Sequence, residues 1–317
     1  MANGFIRIVK RNIISQLFIL STILTSGLVM NVIQLLLHIL IKPFNKRLFH
    51  TLMYYANWTW LSQCVFIADY WSNSELIIHC KKETLDKVGK EHHFGLMNHC
   101  YEIDWLIAWL LLEKFECLGS GKGFVKNVIK YIPICGWFFW LSEHIFLQRS
   151  FVKDKDKIEE RMNDILQYSD NSCTVMTAEG TRFTKEKHEA SVVAHVYIER
   201  IPISEVEPTQ DYLNKLYQKK DELQESFFKY GKFCEGIKQT PIEGIRIKPR
   251  FYVAVNTFLW SALNLSFIIY HVTRMILAGQ FIYLVLISGG VFGLFYMMMQ
   301  NIISHSKVKK GSNYGKN

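Results

Sequence analysis

A chain of 317 residues, half of them hydrophobic, has room for one sizeable domain plus further segments. Its net charge of +9 raises the question of nucleic acid, yet all 28 acidic residues lie between Lys42 and Glu243, where 26 Lys and Arg leave a net of −2. The positive surplus sits outside that stretch, at Arg7, Lys10 and Arg11 and from Arg246 to Lys316, so no basic stripe for tracking phosphodiesters forms and nucleic acid is excluded as a partner.

In chain order, the first predicted element is an uncharged run between Arg11 and Lys42, "NIISQLFILSTILTSGLVMNVIQLLLHILI". At about 1.5 Å per residue it is long enough to cross a bilayer with some tilt. It is also too long for the apolar core of a signal peptide, about 7–15 residues. Residues 1–42 therefore read as a membrane anchor. Residues 43–250 follow as the catalytic-looking part. Short apolar runs ending in polar residues, "HFGLMNH", "EHIFLQR" and "CTVMTAEG", alternate with "DKDKIEERMNDILQYS" and "DYLNKLYQKKDELQESFFKY", which carry Ile, Met, Leu, Tyr and Phe at helical spacing. That alternation predicts an α/β domain around a largely parallel central sheet, whose working residues gather beyond the carboxyl ends of the strands.

Phe251 to Thr273 and Met275 to Ser306 are two more uncharged runs, separated by Arg274. They predict a membrane hairpin over 251–306, with Gly289-Gly290 able to break its second arm, and a basic tail over 307–317. With three crossings, Lys42, Lys46, Arg47, Arg246, Lys248, Arg250 and the tail lysines share one side, which the positive-inside bias places in the cytosol. Seven cysteines without a C-x-x-C pair fit a reducing compartment better than a disulfide framework. No metal centre is expected, because the adjacent His92-His93 point apart in an extended, solvated segment. "GSGKG" at Gly119 to Gly123 lacks the spacing of a phosphate loop.

Chemistry concentrates in "NHCYEID", Asn98 to Asp104. His99 and Asp104, five apart, do not share a face of one helix. They meet if His99 ends a strand and Asp104 opens the helix that follows. Asp104 then fixes the imidazole tautomer and leaves the other ring nitrogen to accept a proton. For a lone H-x4-D, a core histidine beside a capping aspartate is the plainer reading. Two further clusters end apolar runs: "IFLQRS" with Arg149, and "AEGTRF" with Glu179, Gly180, Thr181 and Arg182. Guanidinium groups suit phosphate because their planar donors engage two oxygens at once, although a strand-end arginine is often only an ion-pair partner.

These blocks, in this order, resemble the glycerolipid acyltransferases. "NHCYEID" matches their NHxxxxD block, "IFLQRS" the second block and "EGTRF" the EGTR block. "KYIPICGW", "EGTRFTKEKHEAS" and "YIERIPISEVEP" are similar to the membrane-bound 1-acylglycerol-3-phosphate acyltransferases of the eukaryotic gamma/delta/epsilon-like branch. The resemblance covers nearly the whole chain and implies roles for the matching residues. His99 deprotonates the free hydroxyl of a lysophospholipid, which attacks the thioester of acyl-CoA, and Asp104 holds His99 in place. Arg149, Glu179, Gly180, Thr181 and Arg182 hold the glycerol phosphate. It implies no cofactor beyond acyl-CoA as co-substrate, and an endoplasmic reticulum membrane as the location. Cys100 is then a variable position of the block, not a thiol nucleophile.

The resemblance departs after "KEKHEAS", where the family has a fourth block containing a proline strand. This chain passes near 191–192 directly to "VVAHVYIERIPI". Either "VVAHVYIERI" closes the sheet in the vacated place, or the shortened domain folds poorly and turns over weakly. Three readings follow. The first is acylation of lysophosphatidic acid to phosphatidic acid. The second is the same chemistry on lysophosphatidylinositol or lysocardiolipin. The third is a catalytically silent membrane protein that pairs with an active relative through its anchors. A soluble serine hydrolase is disfavoured, since no G-x-S-x-G elbow is present.

Overall fold

The structure is a computed structural model, and it describes residues 8–98, 104–148, 150–168, 171–177, 193–235 and 242–306. Helix α1, Ile13–Leu40, opens on Asn12, whose side chain accepts the Ile14 N–H at 2.8 Å. Helix α2, Lys46–Phe66, opens on Asn45 in the same way. The two pack as an antiparallel hairpin whose shared face is polar. Gln34 donates to Asn57 at 2.9 Å, Ser26 to Gln63 at 3.1 Å, and the Trp60 indole to the Ile23 carbonyl at 2.9 Å. At the far end Lys10 donates to the Tyr70 carbonyl, in a π-helical turn over Ile67–Trp71. The outward side of α1 is the apolar one, with Leu28, Val32, Leu36 and Leu40 exposed. This inverts the arrangement of a water-facing helix.

Helices α8, Phe251–Leu277, and α9, Phe281–Ser306, close the chain. Asn256 of α8 donates to the Thr59 carbonyl at 2.8 Å, and Asn264 to the Ser21 and Thr22 hydroxyls at 2.9 and 3.1 Å. By length and composition α1 and α8 are two helices able to cross a membrane. The hairpin turn falls at Gly279, φ +67°, rather than at Arg274, which lies in the last turn of α8, where a cation complements the helix dipole. Helix α9 runs unbroken through Gly289 and Gly290, the pair that could have broken it. Each glycine inside a helix costs only about 1 kcal/mol, too little to interrupt so long a run.

Between these helices lies a mixed α/β region. Strands β1 (Glu75–Cys80), β6 (Val193–Ile198) and β7 (Gly244–Ile247) form one sheet of order β6-β1-β7, with β6 parallel and β7 antiparallel to β1. Strands β2 (His93–Met97), β3 (Lys122–Lys126), β4 (Ile145–Leu147) and β5 (Cys173–Thr177) form a second, all-parallel sheet of order β2-β5-β3-β4. Short α3, Lys82–Lys87, leads from β1 towards β2, α4, Asp104–Lys114, joins β2 to β3, and α5, Cys135–Leu141, precedes β4. Helix α6, Phe151–Leu166, joins β4 to β5, and α7, Gln210–Tyr230, follows β6.

A single central sheet was expected, and the structure has two. "VVAHVYIERI" supplies β6, but β6 pairs with β1 and does not extend the parallel sheet. Among the described residues β2 is hydrogen-bonded to β5 alone, and Phe94 and Leu96 of β2 are 45% and 38% exposed. A strand with one free edge and uncovered apolar side chains is what removal of neighbouring strands leaves. The two sheets share a core in which Leu76, Ile78 and Cys80 of β1 meet Leu110, Leu112, Phe138 and Cys173. They are also bridged by Arg200, which binds Glu91 through two hydrogen bonds.

Two polar clusters pin this region to the helical hairpin. At one end Lys114 meets Asp69 at 2.5 Å, and Glu113 accepts from Trp58 and Arg250. At the other, Glu143 binds Lys42 at 2.5 Å and the Tyr168 hydroxyl at 2.7 Å, beside the fully enclosed Lys122, which donates to the Ser142 carbonyl. Burial pushes Glu143 up, but the Lys42 bond, the Lys122 charge and the Tyr168 bond outweigh it and hold the carboxyl at about 2. Burial pushes Lys122 down to about 8.

A carboxyl ordinarily near 4.5 and held at about 2 in the fold stabilises the protein above pH 4.5. That contribution, on the order of 3 kcal/mol, is lost as pH falls from 4.5 towards 2. Thermal unfolding of Glu143→Gln between pH 6 and 3 should accordingly be less acid-sensitive than that of the unaltered chain, and identical pH slopes would contradict the assignment.

Candidate active site

The carboxyl ends of the parallel strands define where the three sequence blocks emerge. Strand β2 ends at Met97, two residues before His99. Strand β5 ends at Thr177, two residues before Glu179. Strand β4 ends at Leu147, two residues before Arg149. Met97 and Thr177 are register partners, as are Lys126 and Leu147, while β3 pairs with β5 through Lys122↔Thr174. Neighbouring strands lie about 4.8 Å apart, so all three blocks leave the same edge of one sheet over a width of roughly three strand spacings. His99, Arg149, Glu179, Gly180, Thr181 and Arg182 themselves lie outside the described residues.

Asp104 is described, and it opens α4 as its first residue, 5% exposed. That is the first-turn position the H-x4-D spacing predicts, with β2 ending just ahead of the block. Carboxylates are favoured at such a helix start by the unpaired N–H groups and the dipole. The far end of α4 is held by Glu113 and Lys114, so the helix bearing Asp104 is fixed at its base. Asn98, immediately before His99, donates to Gln224 of α7 and ties the end of β2 to that helix.

Sequence reasoning missed Asp154. Its carboxylate is buried in the first turn of α6, where Oδ1 accepts the Gln148 N–H at 3.0 Å and Oδ2 the Ser150 N–H at 3.1 Å. One side chain thus clasps the backbone on both sides of position 149. Helix-start chemistry, a serine followed closely by an aspartate in "SFVKD", is the signal that could have found it. Asp154→Ala is expected to cost about 1–3 kcal/mol of stability and to raise KM for a phosphate-bearing substrate more than it lowers kcat. Unchanged KM in the folded variant would remove Asp154 from any role at position 149.

His92 is exposed, as expected, though its Nδ1 lies 3.0 Å from the Ser172 hydroxyl, and His93 begins β2. The lysine of "GSGKG" is Lys122, enclosed in the Glu143 cluster. His144 is half-buried, and desolvation lowers it to about 3, so it stays neutral beside the Ser142 hydroxyl.

Comparison with known proteins bears on the same residues. A family model described as "Acyltransferase C-terminus" matches residues 188–260. The chain is 27% identical over 374 residues to 1-acyl-sn-glycerol-3-phosphate acyltransferase delta of Bos taurus, covering 98% of this chain and 97% of that one. It is 26% identical over 377 residues to the gamma protein of Homo sapiens, covering 98% of both. To 1-acyl-sn-glycerol-3-phosphate acyltransferase 3 of Arabidopsis thaliana it is 38% identical over 169 residues, 53% of this chain and 45% of the plant protein. No solved structure matches. Because 98% of a 317-residue chain spreads over 374 aligned positions with the bovine relative, several tens of positions there face gaps in this one, in keeping with the shortening read from the sequence. Over nearly its whole length the chain is thus similar to 1-acyl-sn-glycerol-3-phosphate acyltransferases of the gamma and delta kinds.

Proposed function

We propose that this chain is a membrane-embedded acyltransferase that moves an acyl group from acyl-CoA to the sn-2 hydroxyl of lysophosphatidic acid, giving phosphatidic acid and free CoA. The observation that carries the reading is the emergence of all three blocks from one edge of one parallel sheet, with Asp104 at the head of the adjoining helix. His99 takes the hydroxyl proton and the alkoxide oxygen attacks the thioester carbonyl. The C–S bond then breaks, and the departing thiolate receives a proton. Asp104 orients the imidazole. Arg149 and Arg182 bind the substrate phosphate, with Glu179, Gly180 and Thr181 shaping the cradle between them. No cofactor takes part, and acyl-CoA enters as co-substrate.

The inverted polarity of α1, the apolar length of α8 and the α9 arm support embedding in a bilayer. The reticulum membrane, with the α/β region facing the cytosol, is the location this reading assigns. The same phosphate contacts serve lysophosphatidylinositol or lysocardiolipin. A second reading, an impaired isoform that pairs with an active relative, is favoured by the position of β2 at the edge of its sheet among the described residues and by the gap against full-length relatives.

One experiment addresses all three. The purified chain in phospholipid vesicles is given labelled acyl-CoA and each lysophospholipid in turn, beside a version with the fourth block restored. Phosphatidic acid from both versions supports the proposal. Product from the restored version alone supports the impaired reading, and fatty acid release without transfer would overturn acyl transfer altogether.

A further inference from the structure

The stretch between β3 and β4 makes a third contact with α1 that neither end of the chain supplies. It is a 3-10 turn over Asn127–Tyr131 followed by α5. Asn31 of α1 donates to the Ile134 carbonyl at 3.0 Å, and His38 Nε2 lies 2.6 Å from the Leu141 carbonyl. A Cβ at Gly27 would lie 2.7 Å from Ile134 Cγ2, so the approach at that level needs a glycine. At 1.5 Å per residue, Gly27 sits roughly 20 Å before Leu40, near the middle of α1. The segment therefore descends along α1 from its carboxyl end to about its midpoint. Ile134 is held there at φ +65°, a conformation that β-branched residues rarely adopt, so its seat on α1 is fixed by packing and not by local preference.

Its outward side is apolar and aromatic. Val128, Tyr131, Ile132, Trp137 and Trp140 are all exposed, and the Lys130 ammonium stands 4.9 Å from the Tyr131 ring centroid. Between the segment and α1 runs a groove of about 330 Å³ lined by Leu28, Val32, Leu35, Trp137 and Trp140. The groove, whose lining is polar only at Asn31, adjoins the exposed apolar face of α1 at Leu28 and Val32. A patch of this kind facing water is an aggregation liability, whereas tryptophan and tyrosine flanked by lysine suit the boundary between headgroups and acyl chains. A span needs about 20 apolar residues, more than the segment has, so it enters and leaves on one side.

We infer that residues 127–141 form a non-spanning membrane contact, and that acyl chains of bilayer phospholipid fill the groove between this segment and α1. The inference rests on α1 being embedded in lipid, and the test separates the two. The photoreactive residue p-benzoylphenylalanine is placed singly at Trp140, at Leu36 on the exposed face of α1, and at Tyr230, exposed at the end of α7. Each full-length protein is irradiated in vesicles of phosphatidylcholine carrying labelled acyl chains. Lipid label at positions 36 and 140, each several-fold above position 230, is the expected result. Label at 36 with only background at 140 overturns the inference and leaves the embedding standing. Background at 36 overturns the embedding itself, and cross-links from 140 to protein in place of lipid show that a polypeptide covers the patch.

Discussion

Replacing His99 with alanine is expected to lower acyl transfer by about 10²- to 10⁴-fold, the range a positioned general base supplies, with thermal unfolding nearly unchanged. A lipid hydroxyl does not ionise near neutral pH, so attack on the thioester needs its proton removed as the C–O bond forms. An imidazole with one nitrogen bonded to a carboxylate has the other free for that task. The loss should appear mainly in kcat, because the phosphate contacts assigned to Arg149 and Arg182 remain. Asp104→Asn should cost less than His99→Ala, since an amide still occupies the head of α4 but no longer favours the tautomer needed. Single-turnover measurement with labelled acyl-CoA reads both variants, and an unaltered rate in the histidine variant would remove this mechanism.

A loss of about 3–5 kcal/mol is expected when Asp69 is replaced by alanine, as for any buried pair robbed of one partner. The Lys114 and Asp69 side chains are 1% and 3% exposed and 2.5 Å apart. Burial pushes the Asp69 carboxyl up, and the Lys114 bond and charge oppose that shift, so the ion pair stands against a real desolvation cost. Without Asp69 the ammonium, on a side chain only 1% exposed, loses the carboxylate that offsets its desolvation. The double variant Asp69→Leu with Lys114→Met should recover most of the stability, because two apolar groups of similar volume need no partner. Denaturant unfolding in detergent reads all three proteins. A single-variant loss below about 1 kcal/mol would place the pair among weak surface bridges.

Much of the secondary structure was legible because local pattern carries it. Helices α6 and α7 announce themselves by apolar spacing, and β2, β4 and β5 by short runs that stop at polar residues. Asp104 was legible for a similar reason, since a carboxylate just before a helical run marks its start. Helix α2 was not. It turns Asn57, Ser62 and Gln63 inward, so its polar residues fall where a periodicity argument looks for apolar ones. The split into two sheets was equally hidden. "VVAHVYIERI" reads as a strand in isolation, but its choice of β1 over the edge of β2 depends on residues more than a hundred positions away. The Glu143 cluster shares this character, since it joins segments whose proximity exists only once α1, β4 and α6 are packed.

The Asn264 amide of α8, which reaches back to the first helix, sets an order of events for biogenesis. Asn264 and Ser21 are 243 residues apart. At roughly 5–20 residues per second on the ribosome, that asparagine emerges tens of seconds after the serine it will join. The Ser21 and Thr22 hydroxyls donate to the Phe18 carbonyl, at 2.8 and 2.9 Å, so the newborn helix carries its own acceptor and need not recruit one from elsewhere. Maturation is thus a late docking step, in which the last-made helix claims lone pairs that the first-made one has kept open throughout translation.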